Sequence, residues 1–165
     1  MNDRYEQMSR DWEAQHASSQ YCTFLVDDLY FGIDVRHVQE VLRSQEITPI
    51  PRAPAVIEGL INLRGQIVQA VDMRRRLGLP PRPEDAHPMN MVVRTEEGAA
   101  SLLVDEIGDV LEVEGERFEP VPNNLAAQAQ DLLQGVCKLN DRLLLVLNTE
   151  RTLELDRASS AASVT

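Results

Sequence analysis

Aromatic residues are scarce in this chain: three Phe, three Tyr and one Trp among 165 residues, 4% of the total. Basic residues are also in deficit, 16 against 27 acidic ones, for a formal net charge of −11. Single-stranded nucleic acid is held by stacking aromatics in a basic groove, and anionic membranes also select positive fields. Neither is expected as a partner. Cysteine occurs twice, at Cys22 and Cys137, each inside an apolar strand candidate. That is the usage of small buried hydrophobes in a reducing compartment, not of a disulfide framework. The histidines, His16, His37 and His87, belong to no H-x-x-x-H or C-x-x-C pattern, so no metal or cofactor is expected. A Gly-rich phosphate loop and a nucleophile elbow are missing too, and no catalytic residue is assigned. No apolar run reaches membrane-spanning length, and the polar, acidic N-terminus is unlike a secretory signal. The expectation is a cytoplasmic protein without direct membrane insertion.

What is present is organised around IEGLINLRGQIVQAVD, from Ile57 to Asp72. Two runs rich in branched residues flank Arg64-Gly65, which predicts a β-hairpin with Gly65 supplying positive φ at its tip. Arg64 then stands at an exposed corner where no core needs a cation. A second copy follows 76 positions later: QGVCKLNDRLLLVLNTERTL, Gln134 to Leu153, aligns without a gap on Glu58 to Leu77. A weaker echo precedes each copy at a spacing of 69, Ile33 to Leu42 answering Leu102 to Leu111, and Pro49-Ile50-Pro51 answers Pro120-Val121-Pro122. The chain therefore reads as two similar β units.

In chain order, residues 1–20 form a polar extension in which Tyr5, Met8 and Trp12 allow either a short amphipathic helix or a frayed tail. Tyr21 to Val26 and Tyr30 to Ile33 read as paired strands across Asp27-Asp28. Val35, Val38, Val41 and Leu42 keep 3.6-residue spacing and predict a short helix there. The prolines of TPIPRAP end a short strand at Ile50, and LPPRPEDAHP, Leu79 to Pro88, is the linker. Strands are expected again at Met89 to Arg94, Ala99 to Asp105 and Val110 to Val113, with a short helix at Leu125 to Leu133 and another turn of helix after Asn148. Residues 156–165 read as a disordered tail. Charge is uneven: residues 36–82 hold eight Arg against four acids, and 84–157 hold six basic residues against 16 acidic. Such asymmetry suits protein partners with complementary faces.

The segment YFGIDVRHVQEVLRSQEITPIPRAPAVIEGLINLRGQIVQAVDMRRRLGL resembles the CheW family of chemotaxis coupling proteins. The match runs from about Tyr21 to Leu155, on G-I-D-V-x-x-V-x-E-V, P-x-x-P-x-x-I-x-G-x-x-N-L-R-G and V-D-M-R-x-x-L together. Gln69, Met73 and Ala99-Ala100-Ser101 depart from the family pattern in strand detail. The resemblance implies an all-β fold of two packed five-stranded SH3-like β-barrels with short helices, the first mainly 21–78 and the second mainly 89–148, with ends interleaved. It implies a non-enzymatic adaptor joining the cytoplasmic tip of methyl-accepting chemoreceptors to the regulatory domain of a CheA-type histidine kinase in membrane receptor arrays. Other CheW-like domains are implied as further partners.

The family's receptor groove maps onto Ile33, Val35, Val38, Ile107 and Val110. Its acidic and basic interface pair maps onto Glu40 and Arg64. The apolar, proline-stiffened loop Ser44 to Pro54, with Ile47, Ile50 and Pro51, is the expected kinase contact. A CheW-like adaptor of a non-motility pathway (surface sensing, pili or diguanylate cyclase control) is an alternative. A small-molecule-binding β-barrel is the alternative from another class.

Overall fold

The computed structural model describes residues 18–114 and 118–155. Most of the expected N-terminal extension, residues 1–17, and the expected tail 156–165 lie outside them, while residues 18–20 of that extension are corrected to the start of a strand. Eleven strands and three short helices follow in order. They are β1 (Ser18–Val26), β2 (Leu29–Asp34), β3 (Val38–Leu42), β4 (Ile57–Leu63), β5 (Gln66–Asp72) and α1 (Met73–Arg76). Then come β6 (Met89–Thr95), β7 (Gly98–Val104), β8 (Glu106–Glu114), β9 (Phe118–Glu119), α2 (Ala127–Leu132), β10 (Leu133–Lys138), β11 (Leu143–Leu147) and α3 (Thr149–Thr152).

The strands build two sheets, ordered β8-β1-β2-β11-β10-β9 and β3-β6-β7-β5-β4. Substituting β6, β7, β8, β10 and β11 for β1 to β5, and the reverse, turns one order into the other, apart from the two-residue β9. Within each sheet the central pairing is parallel, β2 with β11 and β5 with β7. The all-β architecture of two packed sheets is present, but the expected division of the halves is corrected. Each sheet takes one hairpin from one half of the chain and three strands from the other, with the short β9 as a fourth in the first sheet. The halves exchange strands throughout rather than only at their ends.

Alternation explains why this exchange is stable. In β7, Leu102 joins a shared cluster with Phe24, Phe31 and Ile33 of the other sheet, while Leu103 joins Ile61, Leu63 and Val68 of its own. In β11, Leu145 joins the shared cluster and Leu144 and Val146 join Tyr21, Tyr30 and Cys137. Each central strand is thus buried on both faces, which is why LLLVL and SLLV are nearly continuous apolar runs. The second sheet curls until its two edges meet. Thr48, beyond β3, exchanges backbone hydrogen bonds of 2.9 and 2.8 Å with Leu60 of β4. At Gly59 a Cβ would lie 2.3 Å from the Thr48 carbonyl oxygen, so only Gly permits that approach. Gly59→Ala should cost about 1–3 kcal/mol through overpacking, read as a lower denaturant midpoint; an unchanged midpoint would show the closure to be slack.

The long repeat is structural. Asp72 and Asn148, 76 positions apart, each cap the turn of helix that ends a hairpin. The Asp72 side chain accepts from the N–H groups of Arg74 and Arg75, and Asn148 accepts from Arg151. The expected helix from Val35 to Leu42 is not formed. Asp34 caps one 3-10 turn, Val35–His37, and the chain then extends as β3. A bulge at Gln39, between the pairs Val38–Val93 and Glu40–Val92, breaks strand alternation and leaves a spacing that mimics a helix.

Arg74 binds Asp105 through three hydrogen bonds of 2.6 to 3.2 Å, and Arg82 of the linker stands 3.6 Å from the same carboxylate. Burial pushes the Asp105 carboxyl up, but the hydrogen bonds from Arg74 and the Asp27 N–H, with the charges of Arg74 and Arg82, bring it below its ordinary value. A depressed folded value means stability that is complete above the unfolded carboxylate range of about 3.9 and is lost as pH falls through the folded value. The stability gap between wild type and Asp105→Asn should therefore be widest near neutrality and close below about pH 4. A gap that stays constant into strong acid would contradict this.

Candidate functional site at the barrel seam

β3 and β8 are the equivalent edge strands of the two sheets, and each begins where the chain has just crossed from the other sheet. Both carry a bulge: in β8 the pair Ile107–Phe24 is followed by Val110–Cys22. Thr23 Oγ1 donates to the Asp109 carbonyl within that bulge. Val38 and Ile107, 69 positions apart, are both half-buried and both pack on the shared core. Val110 is 53% exposed, and its counterpart Val41 is 39% exposed. Val35 is half-buried in the 3-10 turn. Ile33 is fully buried between the sheets, so it supports this surface from beneath and is corrected as a contact residue.

Glu40 and Arg64 are brought together at 3.0 Å, joining β3 to the β4–β5 turn from the opposite edge of the same sheet. Arg64 is 80% exposed and, like Gly65, has positive φ, 53° and 89°. Left-handed backbone costs a non-glycine residue about 1–2 kcal/mol, and an exposed ion pair contributes about 0–1 kcal/mol. Local structure thus gains little from Arg at this position. Arg64→Gly should leave the melting temperature level or raise it slightly. A drop of several degrees would make Arg64 a structural residue.

The loop 44–54 departs from expectation in its orientation. Ile47 packs into the second sheet's own cluster and Ile50 onto the shared core, both half-buried. Part of each side chain is thus turned inward, and only the remainder is open to a partner. Pro51 and Arg52 form the exposed tip, where the Ala53 N–H donates to the Ile50 carbonyl and Arg52 has φ 62°. Pro followed by a positive-φ residue is the type II turn pattern, in which Gly or Asn normally holds the second place. The sequence signal for Arg52 was that X-Pro-X tip; the missing glycine concealed the turn.

Other chemistry is sparse. Burial pushes the Cys137 thiol up to about 12, and burial with the nearby Asp34 charge raises Cys22, so neither is an activated nucleophile. Among the described residues no group of three His, Cys, Asp or Glu is placed to hold a metal ion. A cleft of about 310 Å³ lies by Tyr21, Asp34, Arg36, His37 and Thr149, where His37 Nδ1 lies 3.0 Å from Thr149 Oγ1. No described helix is long and apolar enough to cross a membrane.

Two sheets that exchange strands between the chain halves present half-exposed aliphatic residues on their equivalent edge strands, an arrangement that suits a protein-interaction module. The CheW-like domain model matches residues 20–157, and the chain belongs to that family, a scaffold and adaptor family of chemotaxis. It is 26% identical to the chemotaxis protein CheW of Helicobacter pylori over 83% of this chain and 82% of that one. Protein FrzA of Myxococcus xanthus is 28% identical over 87% of this chain and 90% of its own length. The crystal structure of scaffolding protein TtCheW from Thermoanaerobacter tengcongensis superposes with a TM-score of 0.74 at 26% identity, covering 84% of this chain and 94% of that one.

Proposed function

We propose that this protein is a non-enzymatic, cytoplasmic adaptor that couples the tips of chemoreceptors to the regulatory domain of a CheA-type histidine kinase, and is recruited to receptor arrays by those contacts. The observation that carries the receptor half is the seam. Val38 and Ile107, counterparts in the repeat, pack on the core shared by both sheets, and Val110 stands exposed on β8; together they would make an aliphatic strip for a helix. Receptor tips are helical hairpins, and a helix laid in a groove is held by apolar anchors along its length. Glu40 and Arg64 border the strip and would hold the register of the helix. The kinase half rests on the stiff Pro51-Arg52 tip, whose fixed backbone lowers the ordering cost of a contact.

Pull-down of a soluble receptor-tip fragment and a kinase regulatory-domain fragment tests both halves. Val38→Lys and Ile107→Lys should lose the receptor and keep the kinase. Arg52→Glu should weaken the kinase alone, by about tenfold for a loss near 1.4 kcal/mol. Ile50→Asp, which puts a charge against the shared core, should instead destabilise the fold. Retention of both partners by all the binding-site variants would reject the assignment.

A further inference from the structure

The two edge strands at the seam match in position and in aliphatic residues but not in charge. β8 reads EIGDVLEVE, with four carboxylates and no cation, and Glu106, Asp109 and Glu112 are exposed around Ile107 and Val110. Around Val38 and Val41 the charge is cationic on balance: Arg43 follows β3, Arg94 of neighbouring β6 donates to Gln39 at 3.0 Å, and Arg64 of the hairpin is matched by Glu40 of β3. With β3 and β8 related by the repeat, the proposed receptor site would offer nearly the same aliphatic residues to a helix running in either direction. Shape alone cannot choose between the two. Charge can, because like charges brought together on docking cost affinity while opposite charges gain it.

We propose that the seam selects a helix of polarised charge, with basic side chains over β8 and acidic side chains over β3, and that this asymmetry fixes the direction in which the helix crosses the barrels. The inference rests on the seam being the receptor-tip site and adds the chemistry and polarity of its occupant. In the reversed orientation the basic end of the helix would lie against Arg43 and Arg94, and its acidic end against Glu106 and Asp109.

The test uses the full chain and a soluble chemoreceptor-tip hairpin carrying a paramagnetic tag at one end. Tag-induced broadening of backbone amides reports which strand lies near that end. In the wild type, broadening should be confined to one side of the seam. In Glu106→Gln/Asp109→Asn the hairpin should still bind, with affinity lowered by up to about tenfold, and broadening should reach both β3 and β8. Raising salt should weaken wild-type binding more than it weakens binding by the neutralised variant. One-sided broadening that persists in the variant would overturn the charge selection while leaving the seam site standing. Two-sided broadening in the wild type would do the same. Absence of any broadening near Val38, Ile107 and Val110 would overturn the seam site and the inference with it.

Discussion

Val110→Lys should abolish capture of a receptor tip while leaving the adaptor folded. Val110 is 53% exposed, so a lysine there keeps its ammonium in water in the free protein. In the proposed complex the same position would lie under the docked helix, where an ion would lose its hydration and an aliphatic contact would be lost. Desolvating an unpaired charge alone costs several kcal/mol, and about 2.7 kcal/mol already means a hundredfold. The expected result is at least a hundredfold weaker binding in a titration with the tip fragment, and an unchanged melting curve. Val38→Lys and Ile107→Lys should match that loss but also melt earlier, since both side chains pack on the shared core. Wild-type affinity in Val110→Lys would exclude β8 from the receptor site.

The second large effect concerns cooperativity. Neither half of the chain owns a complete sheet. Residues before the linker supply β1 and β2 to one sheet and β3, β4 and β5 to the other, and the parallel contacts β2–β11 and β5–β7 join the halves at both sheet centres. A chain cut within 79–88 should give two fragments that are each unfolded alone, without dispersed amide signals. Mixed together they should regain the native spectrum. Phe31→Ala, in the core shared by the sheets, should cost about 3–5 kcal/mol and move one unfolding transition rather than split it in two. A fragment 18–78 that folds by itself would contradict the strand exchange.

Much of this architecture was legible in the sequence, and the failures have identifiable causes. The hairpins at Ile57–Asp72 and Leu133–Leu147 were readable because apolar runs, a turn pair and a capping Asp or Asn lie close together in the chain. The exchange between halves was not, because pairings such as Val71 with Leu102 leave no local signature. β3 was hidden by its bulge, which turned strand alternation into apparent helical spacing. Ile33 was placed at the contact surface by the resemblance alone, and its full burial between the sheets depends on pairings that leave no local signal. The Glu40–Arg64 contact came from family resemblance alone; no spacing rule joins residues on opposite edges of a sheet. Arg52 and Arg64 were missed as left-handed residues because composition puts glycine there.

The most direct measurement of the account is a methyl NMR titration of the adaptor with the receptor-tip fragment. Among the described residues the exposed large aliphatics divide into two sets, Val41 and Val110 on the edge strands and Ile67 and Leu143 beside the hairpin turns. The Val38, Val41, Ile107 and Val110 methyl signals should shift or broaden together while those of Ile67 and Leu143 stay in place. Shifts confined to Ile67 and Leu143, with the seam methyls unmoved, would contradict it.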